Sequence, residues 1–165
     1  MDSKPIVLIG PMGVGKSTIG KKLARKLGLS FIDTDLLIVK EHGPIPEIFK
    51  EHGEAVFRGY EELAVAEALK SQAVVATGGG SVLSGKTQRA LEGATVVYLS
   101  TNGQHMKSRL ANGNRPLLQN GISDWKRIYE ERKPLYERLC DIEIDCSAAS
   151  LSKTITEICT KLEEL

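Results

Sequence analysis

The sequence predicts an α/β fold, a parallel sheet covered by helices on both faces, from three observations. Short apolar runs alternate with helical patterns along the chain, as buried parallel strands joined by crossover helices require. The first run, Ile6-Val7-Leu8-Ile9, leads straight into Gly10-Pro11-Met12-Gly13-Val14-Gly15-Lys16-Ser17, a glycine-rich turn that opens a helix. The length, 165 residues, suits one domain with a substantial core.

Composition excludes several classes of function. Lys and Arg number 22 against 21 Asp and Glu, a balance without the basic footprint of a general nucleic-acid binder. No apolar run approaches a transmembrane length, and the residues before the first strand are few and polar, unlike a signal peptide. A cytoplasmic protein with no membrane partner is expected, and with no dimer seam in the pattern, a monomer. Cys140, Cys146 and Cys159 are an odd set without metal-ligand spacing, which suits reduced thiols. His42, His52 and His105 show no zinc pattern and are expected at the surface.

Taken in order, the first strand is Ile6–Ile9. Glycine, four residues, then Gly-Lys-Ser is the spacing of a phosphate-binding loop. Glycines let the backbone curl with its N–H groups inward, a concave anion site at a helix N-terminus. Lys16 is then expected to reach the β- and γ-phosphates of a nucleoside triphosphate, and the Ser17 hydroxyl to hold Mg²⁺. The helix behind the loop should run from Ser17 to Leu27, with Ile19, Leu23 and Leu27 on its apolar stripe and Gly28 as a stop.

The second strand, Ser30–Ile32, runs into Asp33-Thr34-Asp35. Residues two apart on extended chain share a side, so both carboxylates can face one cavity beyond the strand ends, where open parallel sheets bind ligands. One can orient the metal or its water and the other accept a proton from an attacking hydroxyl. A helix N-cap from one of the three residues is the competing use. From Asp35 to Lys70 the pattern is mostly helical, broken at Gly43-Pro44-Ile45-Pro46 and at Gly53. Val56, Tyr60 and Leu63, widened by Phe57, Ala64 and Ala68, make its apolar face. Arg58 precedes Glu61 by one turn, so an intrahelical ion pair competes with a ligand role.

The third strand, Ala73–Ala76, ends at Thr77-Gly78-Gly79-Gly80. Three glycines cost backbone entropy, and close approach of a ligand to the backbone is the favoured reason for them. A helix over Ser84–Leu91, a strand over Thr95–Leu99 and a helix over Asn102–Leu110 follow. Residues 111–122 are polar, flanked by glycines and carry Arg115, the make-up of a hinged lid. Ser123 or Asp124 should cap the next helix, which Pro134 should kink or end. The fifth strand, Ile142–Ile144, precedes a closing helix, Leu151–Leu162, that buries Leu151, Ile155, Ile158 and Leu162 beside Cys159.

These parts assemble into a kinase for a small anionic acceptor bearing hydroxyl groups. Phosphoryl transfer needs positioning and charge neutralisation more than covalent chemistry. Arginine forks outside the loop (Arg58, Arg115, Arg132) suit an acceptor carboxylate and the transferring phosphate.

The set Gly10-x-x-Gly13-x-Gly15-Lys16-Ser17-Thr18, Asp33-Thr34-Asp35, Phe57-Arg58-x-x-Glu61, Gly78-Gly79-Gly80, Arg115-Pro116-Leu117-Leu118 and Arg132-x-Pro134-Leu135-Tyr136 resembles shikimate kinase. The likeness spans nearly the whole chain in the right order. It implies a three-layer α/β/α P-loop kinase with a central five-stranded parallel sheet, a substrate-binding subdomain at about 34–62 and a lid at about 111–122. It also implies ATP-dependent phosphorylation of the 3-hydroxyl of shikimate, on the route to chorismate and aromatic amino acids. Gluconate or nucleoside monophosphate kinases, and a non-catalytic nucleotide binder, are the alternatives.

By the same resemblance, Asp35 binds the acceptor hydroxyls and acts as base, while Asp33 helps Ser17 hold Mg²⁺. Residues Gly13, Val14, Gly15, Lys16, Ser17 and Thr18 bind the nucleotide, with Arg109 near adenine. Arg58 and Arg132 grip the shikimate carboxylate, Glu61 orients Arg58, and Gly78, Gly79 and Gly80 supply backbone to the ring hydroxyls. Arg115 reaches the transferring phosphate, and Phe49, Phe57, Pro116 and Leu117 are apolar walls. The chain departs from the family pattern in a Gly43–Phe49 segment one residue shorter with two prolines. It also lacks an arginine in Cys146-Ser147-Ala148-Ala149-Ser150.

Overall fold

Val7, Leu8, Val74 and Val75 have no exposed surface, because the strands that carry them lie at the centre of a sheet covered on both faces. In a computed structural model, residues 3–110 and 115–165 are described. Strands β1 (Ile6–Ile9), β2 (Ser30–Asp33), β3 (Ala73–Ala76), β4 (Thr95–Ser100) and β5 (Ile142–Asp145) form one five-stranded sheet in the order β2-β3-β1-β4-β5. Every pairing is parallel, with Ile6 opposite Val74 on one side and Thr95 on the other.

Alternation along β1 sorts its side chains between two cores. Val7 and Ile9 join Tyr98, Trp125, Tyr129 and Tyr136 on one face. Ile6 and Leu8 join Leu23, Ile155 and Ile158 on the other. Helices α1 (Lys16–Leu27) and α7 (Leu151–Glu163) cover the second face, and α6 (Ile122–Leu139) covers the first. Helices α2 (Thr34–His42) and α3 (Ile45–Ala68) stand apart around a small cluster of Ile38, Ile48 and Phe57. Short α4 (Gly85–Ala90) and α5 (Met106–Leu110) complete the chain. Among the described residues, no helix is long and apolar enough to cross a membrane.

Several local expectations hold with the stated chemistry. Gly28 ends α1 at φ 69°, with its N–H on Ala24 O and Arg25 O. Gly53 breaks α3 at φ 83°, and Gly43 ends α2 at φ 89°. Cys159 packs beside Ile155 and Ile158 as expected.

Others are corrected. Leu27 is 37% exposed and Gly20 and Ala24 take its place on the α1 stripe. On α3, Val56 and Leu63 face outward, and the buried stripe is Phe57, Glu61, Val65 and Ala68. Periodicity chose the fully apolar row, whereas the fold turns inward the row that carries a buried acid. Helix α5 begins at Met106 because Asn102 and Thr101 instead make side-chain turns onto Gln104 N and Gly103 N. Neither Ser123 nor Asp124 caps α6; the helix starts at Ile122, and Asp124 Oδ2 accepts from Asn120 N. Pro134 does not end α6, which runs on to Leu139.

Candidate active site

The loop between β1 and α1 forms the first wall. Gly10, Gly13 and Gly15 all adopt positive φ, at 148°, 79° and 110°, a path that only glycine follows without strain. Lys16 is buried and donates from Nζ to Gly10 O at 2.7 Å and Pro11 O at 2.9 Å. Its ammonium thus holds the loop's own carbonyls. Burial pushes its pKa down to about 8, against the pull of Asp35 and with Arg115 and Arg132 adding to it.

Beyond the end of β2, the two aspartates divide their work. Asp33 Oδ1 caps α2 by accepting from Asp35 N at 2.9 Å and Leu36 N at 3.3 Å. Its Oδ2 accepts from the Ser17 hydroxyl at 2.5 Å. One carboxylate therefore supplies the helix cap and also lines the cleft beside Ser17. Asp35 lines the same cleft as Asp33, as the sequence led us to expect, and its buried Oδ1 has no hydrogen-bond partner among the described residues. Burial raises its pKa first and Asp33 adds to that, while Lys16, Arg58 and Arg115 oppose.

Thr77 fixes the third wall by donating from its hydroxyl to Leu8 O at 2.9 Å, which keeps the glycine run beside the phosphate loop. What presses on Gly78 and Gly80 is the protein's own side chains, whereas Gly79 faces the loop backbone at Met12 N and Gly10 O. A Cβ at Gly78 would stand 2.6 Å from Glu61 Oε2 and 3.1 Å from Asp35 Oδ1, and one at Gly80 would overlap the Arg58 guanidinium. Arg58 in turn donates to Glu61 Oε1 at 2.8 Å and pairs with Glu54 at 3.2 Å. Glu61 is 2% exposed and its Oε2 lacks a partner among the described residues; burial raises its pKa, with Arg58 pulling it back.

Helix α6 closes the site from the other core. Arg132 is 7% exposed. Tyr136 donates its hydroxyl to Gly79 O at 2.6 Å, and the Trp125 indole N–H donates to Met12 O at 2.8 Å.

Three cavities result. One of about 410 Å³ brings together Asp35, Arg58, Glu61, Arg115 and Arg132 over Gly78–Gly80, with Phe49, Phe57, Pro116 and Leu117 as apolar walls. A cleft of about 230 Å³ holds Gly13, Gly15, Lys16, Ser17, Thr18 and Asp33. A third, of about 450 Å³, is lined by Gly13, Val14, Gly15, Thr18 and Arg109, together with Cys146 and Ala149. Burial pushes the Cys146 thiol up to about 11. Met12, Asp35, Gly78, Gly79 and Arg115 line both of the first two cavities. Every residue given a site role from the sequence therefore lines at least one of these three cavities. Of the segment 111–122 read as a lid, residues 111–114 lie outside the described residues.

The shortened Gly43–Phe49 segment keeps Phe49 in the acceptor cavity, 4.9 Å from the Phe57 ring, and brings Pro44, Ile45 and Pro46 to its rim. Sequence reasoning missed these three, along with Met12, Val39 and the hydrogen bond of Trp125. The signal for Trp125 was a lone tryptophan in the helix that follows residues 111–122.

Ser17 and Asp33 present only oxygen donors to the phosphate cleft, the chemistry a hard divalent cation takes. Among the described residues no cluster of three or more His, Cys, Asp or Glu forms a metal cage. Mg²⁺ keeps several waters and phosphate ligands of its own, so this partial donor set fits it.

Known proteins agree with this geometry. The shikimate kinase family model matches residues 12–163. A shikimate kinase of Rhodococcus erythropolis is 42% identical over 165 residues, covering 96% of each chain. One of Streptomyces coelicolor is 46% identical over 141 residues, covering 83% of this chain and 82% of the other. The solved shikimate kinase from Acinetobacter baumannii, in complex with shikimate, superposes with a TM-score of 0.93 at 33% identity over 98% of this chain and 94% of that one. The chain belongs to the shikimate kinase family.

Proposed function

We propose that the protein transfers the γ-phosphoryl of ATP to the 3-hydroxyl of shikimate, giving shikimate 3-phosphate and ADP for aromatic amino acid synthesis. The observation that carries this is the junction of the two cavities, where Asp35 presents a buried, unpartnered oxygen beside Arg115 and the glycine run. A hydroxyl entering from the acceptor side meets that oxygen, and a terminal phosphate entering from the loop side meets Lys16 and Arg115.

Arg58 and Arg132 hold the acceptor carboxylate, and Glu61 holds Arg58 in register. Asp35 accepts the hydroxyl proton as the oxygen bonds to the γ-phosphorus and the bond from that phosphorus to the β–γ bridging oxygen breaks. Lys16 exchanges its loop carbonyls for phosphate oxygens, and Arg115 neutralises charge on the group in transit. Ser17 and Asp33 would hold Mg²⁺, which would supply neutralisation of phosphate charge there. Gly13 to Thr18 bind the triphosphate, and Arg109 lies on the adenine side. Residues 34–62 serve as the acceptor subdomain and the segment around Arg115 as its lid. The protein works in the cytoplasm as a monomer, with ATP and shikimate as its partners.

A coupled assay of ADP release over a panel of shikimate, gluconate and nucleoside monophosphates tests this. Shikimate alone should raise the rate above background hydrolysis, and only with Mg²⁺ present. Equal stimulation by gluconate, or none by shikimate, overturns the assignment.

A further inference from the structure

Five consecutive carbonyls of the phosphate loop each accept from a side chain. Lys16 Nζ takes Gly10 O and Pro11 O at 2.7 and 2.9 Å. The Trp125 indole takes Met12 O at 2.8 Å. Arg109 Nη1 takes Gly13 O at 3.0 Å and Val14 O at 3.3 Å. In a planar trans peptide the C=O of one residue and the N–H of the next point to opposite sides. Holding the Met12 carbonyl from behind therefore aims the Gly13 amide to the other side, into the cradle. That control matters most at this peptide, because Gly13 sits at φ 79° and glycine tolerates both signs of φ at little cost, so the peptide unit can turn over.

The three holders are not equivalent. Lys16 must release its carbonyls to meet phosphate, and the bond from Arg109 to Gly13 is exposed. Trp125 is 3% exposed and packs so closely on the β4–α5 loop that a Cβ at Gly103 would stand 2.9 Å from its ring. We infer that Trp125 is a positioning residue for the nucleotide: its indole N–H keeps the Met12–Gly13 peptide turned so that the Gly13 amide faces the phosphates, an assignment that rests on the nucleotide reading of this loop. Tyr136, farther along the same face of α6, holds Gly79 O on the other side of the seam, where Gly79 lies against Met12 N.

Trp125→Phe keeps a ring in place and deletes the donor. Titration calorimetry with Mg²⁺ and ADP should show binding weakened roughly fivefold, the worth of one neutral hydrogen bond. Binding of shikimate alone should stay within about twofold. In turnover, KM for ATP should rise while KM for shikimate holds. A tryptophan that only packs would instead weaken both ligands together with thermal stability. Unchanged ADP affinity in a folded Trp125→Phe protein, or equal losses for both ligands, overturns the inference. Should that variant fail to fold, the wild-type chain supplies the second measurement, since its single tryptophan gives one indole N–H resonance. That proton should exchange with solvent far more slowly than free tryptophan, and exchange at the free rate overturns the inference. Failure of the wild-type protein itself to bind ADP removes the nucleotide reading, and this assignment with it.

Discussion

Asp35 carries a buried oxygen with no partner among the described residues, and Asp33, two residues earlier, has both of its oxygens engaged. Asp35→Asn should therefore remove most turnover, about 10²- to 10⁴-fold for a lost general base, while ADP still binds. Single-turnover and binding measurements on the same preparation check this, and near-normal turnover refutes the role. Arg58→Ala or Arg132→Ala should each weaken shikimate binding by about 1.5–3 kcal/mol, the worth of a charge-assisted contact. Affinity for ATP should change much less, as a KM comparison will show. Lys16, pushed down to about 8 by burial, regains its usual basicity when phosphate oxygens arrive beside it. ADP binding near pH 8 should thus take up protons, seen as a buffer-dependent heat in calorimetry. Well below that pH the ammonium is already charged, and the uptake should vanish; buffer-independent heat near pH 8 would contradict this.

At the scale of elements, the loop after β3 shows how far the sequence could be read. Gly78-Gly79-Gly80 was legible as a place where something comes close, since three glycines after a strand demand a reason. That Glu61, Asp35 and Arg58 are what come close depends on α2 and α3 packing across the loop, a contact no local pattern encodes. Gly80→Ala should accordingly displace the Arg58 guanidinium, raising KM for shikimate while KM for ATP stays near its original value. A steady-state comparison of both substrates tests that.

The phosphate loop and the five strands were legible because spacing and apolar runs are local. The inward face of α3 was not, because Glu61 is buried in place of Leu63 and hydropathy alone reverses that choice. Pro134 does not end α6 for a related reason. A proline removes one helix bond and crowds the preceding turn, yet the turns around it are fastened by the buried Arg132 and by Tyr136 on Gly79 O. Tertiary fastening outweighs a local breaker.

Across the whole molecule, the two cavities are lined by residues drawn from α1, α2, α3, α6 and the ends of β1, β2 and β3. Binding to the folded form alone should raise stability by about 2.7 kcal/mol at a hundredfold excess over Kd. For a chain of this size that is a rise of roughly 5–10 °C in Tm, which differential scanning fluorimetry with Mg²⁺ and ADP, and separately with shikimate, will read. No shift with either ligand would show that neither site forms.

The position of β1 at the middle of the sheet has a consequence for synthesis. Its neighbours are β3 and β4, with Ile6 opposite Val74 and Thr95, so the emerging Ile6-Val7-Leu8-Ile9 segment waits unpaired while the ribosome adds roughly sixty-five further residues to reach β3, and it is flanked on both sides only once β4 has followed. A greasy, β-prone stretch in that interval is a natural handhold for trigger-factor-like chaperones and a seed for aggregation. Nascent chains stalled before residue 73 should be protease-sensitive around β1, and chains released beyond residue 100 should be protected there.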